Sequence, residues 1–179
     1  MALRKGKCYR NLTRPYTRIS RFKRESFIAT VPALKTTKYE FGDKKRKFPV
    51  IVKLVSKIDH NIRDNSLESI RMVINRTLQR YLGPNYFFKI NVFPHHILRE
   101  NKMLTGAGAD RMQTGMAHSF GKPVGRAARV KKGTIVALAK VEEQGVKIVQ
   151  DAYRKAIPRL PGKYGIEIEK VASWLTFPN

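Results

Sequence analysis

Residues 48–93 decide the fold class, and they read FPVIVKLVSKIDHNIRDNSLESIRMVINRTLQRYLGPNYFFKINVF. Residues 48–55 and 86–93 are rich in β-branched and aromatic side chains, which predicts two strands. Between them, residues 65–82 carry apolar side chains at steps of three and four, the period of an amphipathic helix. The apolar stripe of this helix consists of Leu67, Ile70, Ile74, Leu78 and Tyr81. The stretch therefore predicts a strand, a helix and a second strand.

The predicted helix has residues suited to both of its ends. Asn65 can cap the first turn, and Glu68, three residues later, completes a capping box. Gly83 followed by Pro84 ends the helix, because glycine fits the cap position and proline cannot continue the hydrogen-bond ladder.

Shorter patterns on both sides complete the fold prediction. Further strands are predicted over residues 27–31, 134–141 and 165–174, and a second helix over residues 144–157. Residues 35–47 predict a basic connection with a turn at Gly42 and Asp43, and His60 and Asn61 are expected in a loop. The order indicates one α+β domain over residues 1–179, a sandwich of a mainly antiparallel sheet and two helices.

Residues 101–129 read NKMLTGAGADRMQTGMAHSFGKPVGRAAR and keep no helical or strand period. They hold five glycines, five Lys/Arg and one acid. A run of this length without periodicity inside a compact domain is usually a functional loop or a disordered one. We predict one long protruding loop, and we expect Phe120 either to stack on a base or to pack at the foot of the loop.

Net charge restricts the class of partner. The chain has 37 Lys/Arg against 13 Asp/Glu, a net charge of +24, which favours a polyanion such as nucleic acid. Residues 1–24 and 99–132 together hold 17 basic and two acidic residues. We predict that residues 1–26 form a mostly irregular basic arm and that arm and loop bind RNA. Two disordered, solvated segments are the alternative, and the aromatics Tyr9, Tyr16 and Phe22 argue against it.

Basic side chains in these two segments are the candidate RNA ligands, because Arg contacts phosphate in bidentate pairs and Lys acts as a point charge. Those in the arm and at the base of the loop are Arg4, Lys5, Lys7, Arg10, Arg14, Arg18, Arg21, Lys23, Arg24, Lys122, Arg126, Arg129, Lys131 and Lys132. Those in the outer loop are Lys102 and Arg111, with Gln113, Thr114 and His118 as hydrogen-bonding residues and Gly106 and Gly108 allowing close backbone approach.

Enzymatic and ligand motifs are missing from the sequence. GAGAD at residues 106–110 is neither a P-loop nor a dinucleotide fingerprint. The histidines, interpreted as turn and surface residues, lack a Cys cluster or His-Glu spacing for zinc; they are His60, His95, His96 and His118. No serine has a nucleophile-elbow context, and Cys8 lies in the arm. We therefore predict no catalytic residue, no metal and no cofactor.

Other functions and locations are weaker interpretations. An RNA-modifying enzyme would need convergent Cys, Asp or His residues, and a DNA-compacting protein would prefer duplex DNA. The sequence has no run of 18 apolar residues, so it predicts no membrane span. It also has no basic amphipathic helix of the kind that binds a membrane surface. The single cysteine suits a reducing cytosol, and the N-terminus lacks a signal-peptide core. The N-terminus has a low serine content, which disfavours a mitochondrial presequence. We therefore predict a cytoplasmic protein.

Four segments resemble one known family. KMLTGAGADRMQTGM (residues 102–116) and FGKPVGRAARV (residues 120–130) are similar to the archaeal and eukaryotic branch of the universal large-subunit ribosomal protein sixteen family, whose eukaryotic member is called large-subunit protein ten. RKGKCYRNLTRPYTR (residues 4–18) and AYRKAIPRLPGKYGIEI (residues 152–168) also resemble it. The similarity covers essentially the whole chain.

This resemblance implies more than the residues alone indicate. It implies the α+β sandwich of the family and binding of large-subunit rRNA near the base of the central protuberance. The loop would extend toward the peptidyl transferase centre and A-site tRNA, and neighbouring ribosomal proteins would be further partners. Bacterial relatives have a shorter loop, with a GKGKG-like segment at residues 121–125, so implications for the loop tip come from archaeal and eukaryotic members.

Overall fold

A computed structural model describes residues 4–12, 22–28, 30–102, 106–112 and 120–170. In this part of the chain the strands are β1 (Glu40–Gly42), β2 (Val50–Ser56), β3 (His60–Arg63), β4 (Phe87–Ile90), β5 (His96–Glu100), β6 (Lys122–Val130), β7 (Ile135–Val141) and β8 (Tyr164–Lys170). The α-helices are α1 (Asp64–Leu82), the single turn α2 (Ala109–Met112) and α3 (Val146–Ala156). Short 3-10 turns lie at Gly6–Tyr9, Lys23–Glu25, Glu143–Gly145 and Ile157–Arg159.

The larger sheet forms the body of the molecule together with α1 and α3. Its order is β1-β4-β7-β2-β8, and every neighbouring pair is antiparallel. Val50, Val52 and Leu54 are buried along β2 and alternate with more exposed residues, the period of a strand with one face on the core. The helices and this sheet share one apolar core, and the Tyr153 hydroxyl of α3 donates to the Val52 carbonyl at 3.1 Å. The predicted α+β fold with a mainly antiparallel sheet is confirmed.

The smaller sheet corrects the loop prediction. Its order is β3-β6-β5, and β5 and β6 form an antiparallel hairpin with an irregularity between Leu98 and Arg99. Residues 122–129, predicted as loop, therefore belong to a nine-residue strand. A stretch that contains a proline, a glycine and two arginines forms a strand here because partners on both sides supply the hydrogen bonds. Of the remaining loop, residues 106–112 include the turn of helix α2, so this part is not structureless.

Helix α1 confirms the predicted stripe and corrects its start. Leu67, Ile70, Ile74 and Leu78 are fully buried, whereas Tyr81 is 57% exposed and lies outside the core. The helix begins at Asp64, whose carboxylate accepts the backbone N–H of Asn65 at 2.8 Å. The predicted capping box is wrong.

The side chains of the expected capping box have other partners. Arg63 occupies the N-cap position without a side-chain hydrogen bond to the first turn. Glu68 pairs with Arg71 one turn further on instead of reaching back to the cap. The favourable ion pair at a three-residue step thus replaces the reciprocal cap.

Other predicted elements shift by a few residues or change type. Helix α3 and strands β7 and β8 confirm the second helix and two of the strands, and residues 171–174 of the last prediction lie outside the described part. The described members of residues 27–31 are not in a strand. The basic connection contains β1, which ends at Gly42 with a φ of +85°. A side chain there would meet the Tyr86 carbonyl oxygen at 2.0 Å, so the turn requires glycine.

His60 and Asn61 lie in β3 rather than in a loop, and both are buried. The interpretation of His60 as a surface residue is wrong. Its ring Nδ1 lies 2.9 Å from the Ile58 carbonyl, and its Nε2 contacts the Tyr164 hydroxyl. Burial lowers the pKa of His60 most, and nearby Arg10 lowers it further against the opposing effect of the Ile58 carbonyl. His95 is exposed, His96 is half-buried in β5, and His118 lies outside the described residues.

Candidate RNA interface

The described start of the arm, residues 4–12, docks on β3. The Asn61 backbone N–H donates to the Arg10 carbonyl at 2.8 Å. The Asn61 side-chain amide donates to the carbonyls of Tyr9 and Asn11 at 3.1 and 3.0 Å. One buried residue thus supplies three hydrogen bonds to the arm, and it occupies a strand at the border of the smaller sheet, where backbone groups need partners.

Arg63, at the end of the same strand, holds the arm from the other side. Its guanidinium donates to the Arg4 carbonyl at 2.8 Å, and its Cζ lies 5.5 Å from the Tyr9 ring centroid. These contacts fix the 3-10 turn Gly6–Tyr9 against the smaller sheet. Lys5 precedes that turn and Lys7 lies in it, and both side chains remain exposed.

Glu100, the last residue of β5, joins the arm to the hairpin. Its carboxylate accepts the Tyr9 hydroxyl, and its Oε2 lies 3.9 Å from Arg4 Nε and 3.4 Å from Lys102 Nζ. The Glu100 side chain is only 3% exposed, so these partners compensate a charge removed from water. Cations from the arm and from the start of the loop therefore converge on one carboxylate.

The predicted basic residues divide into exposed and half-buried groups. The exposed ones are Arg4, Lys5, Lys7, Arg10, Arg24, Lys102, Arg111, Lys122, Lys131 and Lys132. Arg126 and Arg129 on β6 are half-buried, and Arg126 Nε donates to the Pro32 carbonyl at 2.6 Å. Arg126 therefore has a structural contact that the sequence did not predict.

Several predicted residues occupy turns or fall outside the described part. Lys131 and Lys132 lie on the β6–β7 turn, where the backbone N–H of Lys132 donates to Asp59 at 2.7 Å. Gly106 and Gly108 have φ values of +140° and +80°, which glycine adopts without strain. Arg14, Arg18, Arg21, Gln113, Thr114, His118 and the side chain of Lys23 lie outside the described residues.

Electrostatics on the smaller sheet reflects crowded positive charge. Burial lowers the pKa of His96 most, and the neighbouring cations Arg129 and Arg99 lower it further. A neutral imidazole among guanidinium groups is the expected result. An approaching polyanion would instead raise the pKa of the His96 imidazole.

Sequence reasoning missed the residues that position this surface, namely Asn61, Arg63 and Glu100. The one available indication was Glu100 itself, an acid in a strongly basic stretch, which suggests a compensating partner for nearby cations. Tyr9, which it binds in the arm, is 91 positions away, a contact that no local pattern encodes.

The described residues carry neither a metal-binding cluster nor a membrane-spanning helix. Within these ranges no group of three or more His, Cys, Asp or Glu side chains is arranged to hold a metal ion. No helix among them is long and apolar enough to cross a membrane.

Fold and surface together define a class of small, strongly basic α+β proteins that display cations on an arm and a hairpin. The particular family follows from comparison. Residues 14–167 match the model of the ribosomal protein L16p/L10e family, and the chain belongs to that family.

Archaeal relatives agree with this assignment over nearly the whole chain, and each is named large ribosomal subunit protein uL16. The protein of Archaeoglobus fulgidus is 43% identical over 171 residues, 95% of each chain. That of Thermofilum pendens is 44% identical over 172 residues, 95% of this chain and 99% of the relative. That of Methanococcus aeolicus is 45% identical over 174 residues, 96% and 97% of the two chains.

Membership confirms the predicted family in its archaeal branch. The chain is a structural constituent of the large ribosomal subunit and not an enzyme, and its location is the ribosome in the cytoplasm. Large-subunit rRNA and neighbouring ribosomal proteins are the partners that this membership implies.

Proposed function

We propose that the docked arm and the β5–β6 hairpin form one continuous surface for large-subunit rRNA. The observation that carries this proposal is the convergence of Tyr9, Arg4 and Lys102 on Glu100. This contact brings the two most basic segments of the chain together. Phosphates along a single RNA strand or groove can then meet both segments in turn.

The chemistry of the surface suits phosphate rather than a compact ligand. Lys5, Lys7 and Lys122 are exposed point charges on ordered backbone, so binding them costs little ordering of the main chain. Each phosphate neutralised releases condensed counterions, which makes the affinity salt-dependent. The RNA also relieves the self-repulsion of a chain with net charge +24.

Within the ribosome, we place this surface on rRNA near the base of the central protuberance. The segment after Lys102 would extend toward the peptidyl transferase centre and A-site tRNA and help to position the tRNA. The family resemblance supports this placement. Two glycines with positive φ and the exposed Arg111 close to them give the segment a backbone and a charge suited to close approach to RNA.

Filter binding to transcribed large-subunit rRNA at several salt concentrations tests the surface. We expect the affinity to fall steeply with salt, and a Lys5→Gln/Lys7→Gln variant to lower the log–log slope by about 0.9 for each phosphate that is no longer neutralised. The control is Lys147→Gln/Lys155→Gln, which removes two lysines from α3. Equal slopes for the arm variant and the wild type would rule out the arm as a phosphate-binding segment.

The tRNA-positioning role needs its own measurement. Ribosomes that carry Arg111→Gln should bind A-site tRNA more weakly while retaining the protein through a high-salt cushion. Unchanged A-site binding would contradict the role of the loop but leave the rRNA surface intact.

A further inference from the structure

Two exposed phenylalanines and an arginine lie in contact where strands β5 and β6 join the segment that connects them. The rings of Phe27 and Phe120 have centroids 5.8 Å apart and an interplanar angle of 38°. The guanidinium Cζ of Arg99 lies 3.9 Å from the Phe120 centroid. Phe120 therefore contacts both Arg99 and Phe27, and we name these three side chains the aromatic column.

Both rings of the column are open to solvent. Phe27 is 58% exposed and Phe120 is 47% exposed, whereas Phe88 in the body is fully buried. A single exposed apolar residue needs no explanation, but two exposed aromatic rings in contact with each other, one of them also in contact with an arginine, present an apolar aromatic surface. A further flat group that stacks on such a surface would interact with it favourably.

The position of Phe120 is fixed by its neighbour in sequence. A side chain at Gly121 would lie 2.6 Å from the Glu100 backbone carbon and 2.9 Å from the Asn101 nitrogen. The backbone of residue 121 thus crosses directly over the end of β5, and Phe120 leaves this crossing in a defined direction.

The two residues that flank Phe27 in the chain are also held by structural contacts. The hydroxyl of Ser26 donates to the Ile28 carbonyl at 3.0 Å, and the Ile28 side chain is 4% exposed in the core. Phe27 is therefore an exposed ring between two residues with structural contacts. Preorganised rings lose little conformational entropy when they bind.

The charges around the column determine which flat partner fits. Arg99 lies over the Phe120 ring, and the exposed Lys122 follows Phe120 by two residues. Glu100, next to Arg99 in the chain, is buried against Tyr9, Arg4 and Lys102. An apolar protein segment would gain nothing from these cations. A nucleotide has both a flat base for the rings and a phosphate for the cations.

We propose that the aromatic column is a stacking site for one unpaired nucleobase of rRNA. The base lies against the Phe27–Phe120 surface, and its phosphate is neutralised by Lys122. Arg99, stacked on Phe120, extends the same column. This proposal rests on the proposed rRNA surface and adds to it a site that reads an exposed base rather than the backbone.

Leucine variants separate stacking from charge. Phe27→Leu and Phe120→Leu keep an apolar side chain but remove the ring, and every cation that faces phosphate stays in place. We expect each variant to weaken binding to transcribed large-subunit rRNA by roughly 5- to 150-fold, the effect of losing one stacked base. The salt slope should stay at the wild-type value, because it counts phosphates.

Phe93→Leu is the matched control. Phe93 is also partly exposed, at 37%, and its ring lies 4.6 Å from that of His95. We expect its rRNA affinity to equal that of the wild type. Thermal unfolding of all three variants shows whether a loss of affinity follows from a loss of fold.

Crosslinking of the unaltered protein gives a second, independent readout. Ultraviolet irradiation of the wild-type complex with rRNA should yield a nucleotide adduct on the peptide that contains Phe27 or on the one that contains Phe120. Wild-type affinity in both leucine variants, or adducts confined to other peptides, would overturn the stacking site.

The two proposals fail in distinguishable ways. A steep salt slope together with leucine variants of unchanged affinity rejects the stacking site and keeps the rRNA surface. A flat salt slope rejects the surface itself. Leucine variants that bind rRNA normally but fail to enter large subunits would assign the column to a neighbouring protein and overturn the nucleobase proposal.

Discussion

The body of this protein and the face that carries the arm are stabilised by different chemistry. The five-stranded sheet and its helices enclose a core of apolar side chains such as Leu54, Ile74 and Phe88. The three-stranded sheet, by contrast, meets the arm through the polar side chains of Asn61 and Glu100. The comparison shows that the body supplies non-directional stability, whereas the side that carries the arm supplies a specific geometry at the cost of buried polar atoms. Two of these, Asn61 Oδ1 and Glu100 Oε2, accept no hydrogen bond from the described residues.

The largest expected effect comes from the body. Phe88→Ala removes a fully buried ring that lies 6.1 Å from the ring of Phe41, and it leaves a cavity. We expect the free energy of unfolding to fall by roughly 3–5 kcal/mol, measured by denaturant titration. Phe93→Ala, at a partly exposed ring, is the control and should cost much less. Similar losses for the two variants would contradict the described core.

The next effect tests the crossing in the β5–β6 hairpin. Gly121→Ala puts a carbon 2.6 Å from the Glu100 backbone, so the strands must separate. We expect a loss of roughly 1–3 kcal/mol in stability, with faster amide exchange at the end of β5. Gly125→Ala, in the same strand but with nothing within 4 Å of the added carbon, is the control. Native exchange in Gly121→Ala would disprove the close crossing.

A smaller effect is expected from the link between the arm and the hairpin. Tyr9→Phe removes the hydroxyl that donates to Glu100 and leaves a buried carboxylate oxygen without that partner. The cost should be about 1–3 kcal/mol, with faster amide exchange at residues 5–10. Tyr81→Phe, at an exposed tyrosine of α1, is the control. If arm exchange is the same in both variants, Glu100 does not hold the arm.

The smallest effect concerns pH and compares the two buried or half-buried imidazoles. Burial lowers the pKa of His60 and of His96 in the folded state. Their contribution is fully present above the unfolded-state pKa of about 6.5 and is lost as the pH falls toward the lower folded-state value. We expect the free energy of unfolding to decrease as the pH falls below about 6.5.

Substitution assigns this pH dependence to its source. His60→Gln should remove part of the decrease, and His60→Gln/His96→Gln should remove more, as measured by urea titration at several pH values. A decrease of unchanged size in the double variant would show that other groups cause it.

The sequence predicted the elements whose patterns are local. The buried stripe of α1 and the alternation in β2 depend on residues within a few positions of one another, so periodicity was sufficient. Strand β6 was missed because KPVGRAARV has a proline, a glycine and two arginines and becomes a strand only between β3 and β5. Its pairing partners lie up to 70 positions away, as for His60 and Val130.

The candidate site was predicted in part for the same reason. Charge counting located the basic segments, because charge is a property of composition. It could not locate Asn61 and Glu100, whose roles exist only once the arm has docked. Nor could it assign Arg126 its contact with the Pro32 carbonyl, since that contact joins residues 94 positions apart.

The crossing of residue 121 over the end of β5 has a consequence for chain length. This contact holds the two ends of the segment between β5 and β6 together. The strand pairing of the hairpin therefore offsets the conformational entropy that is lost when the segment is closed. Closure entropy grows only with the logarithm of length, and doubling the segment would cost about 0.6 kcal/mol. The length of the segment between β5 and β6 can therefore be altered by insertion or deletion while the smaller sheet keeps its register.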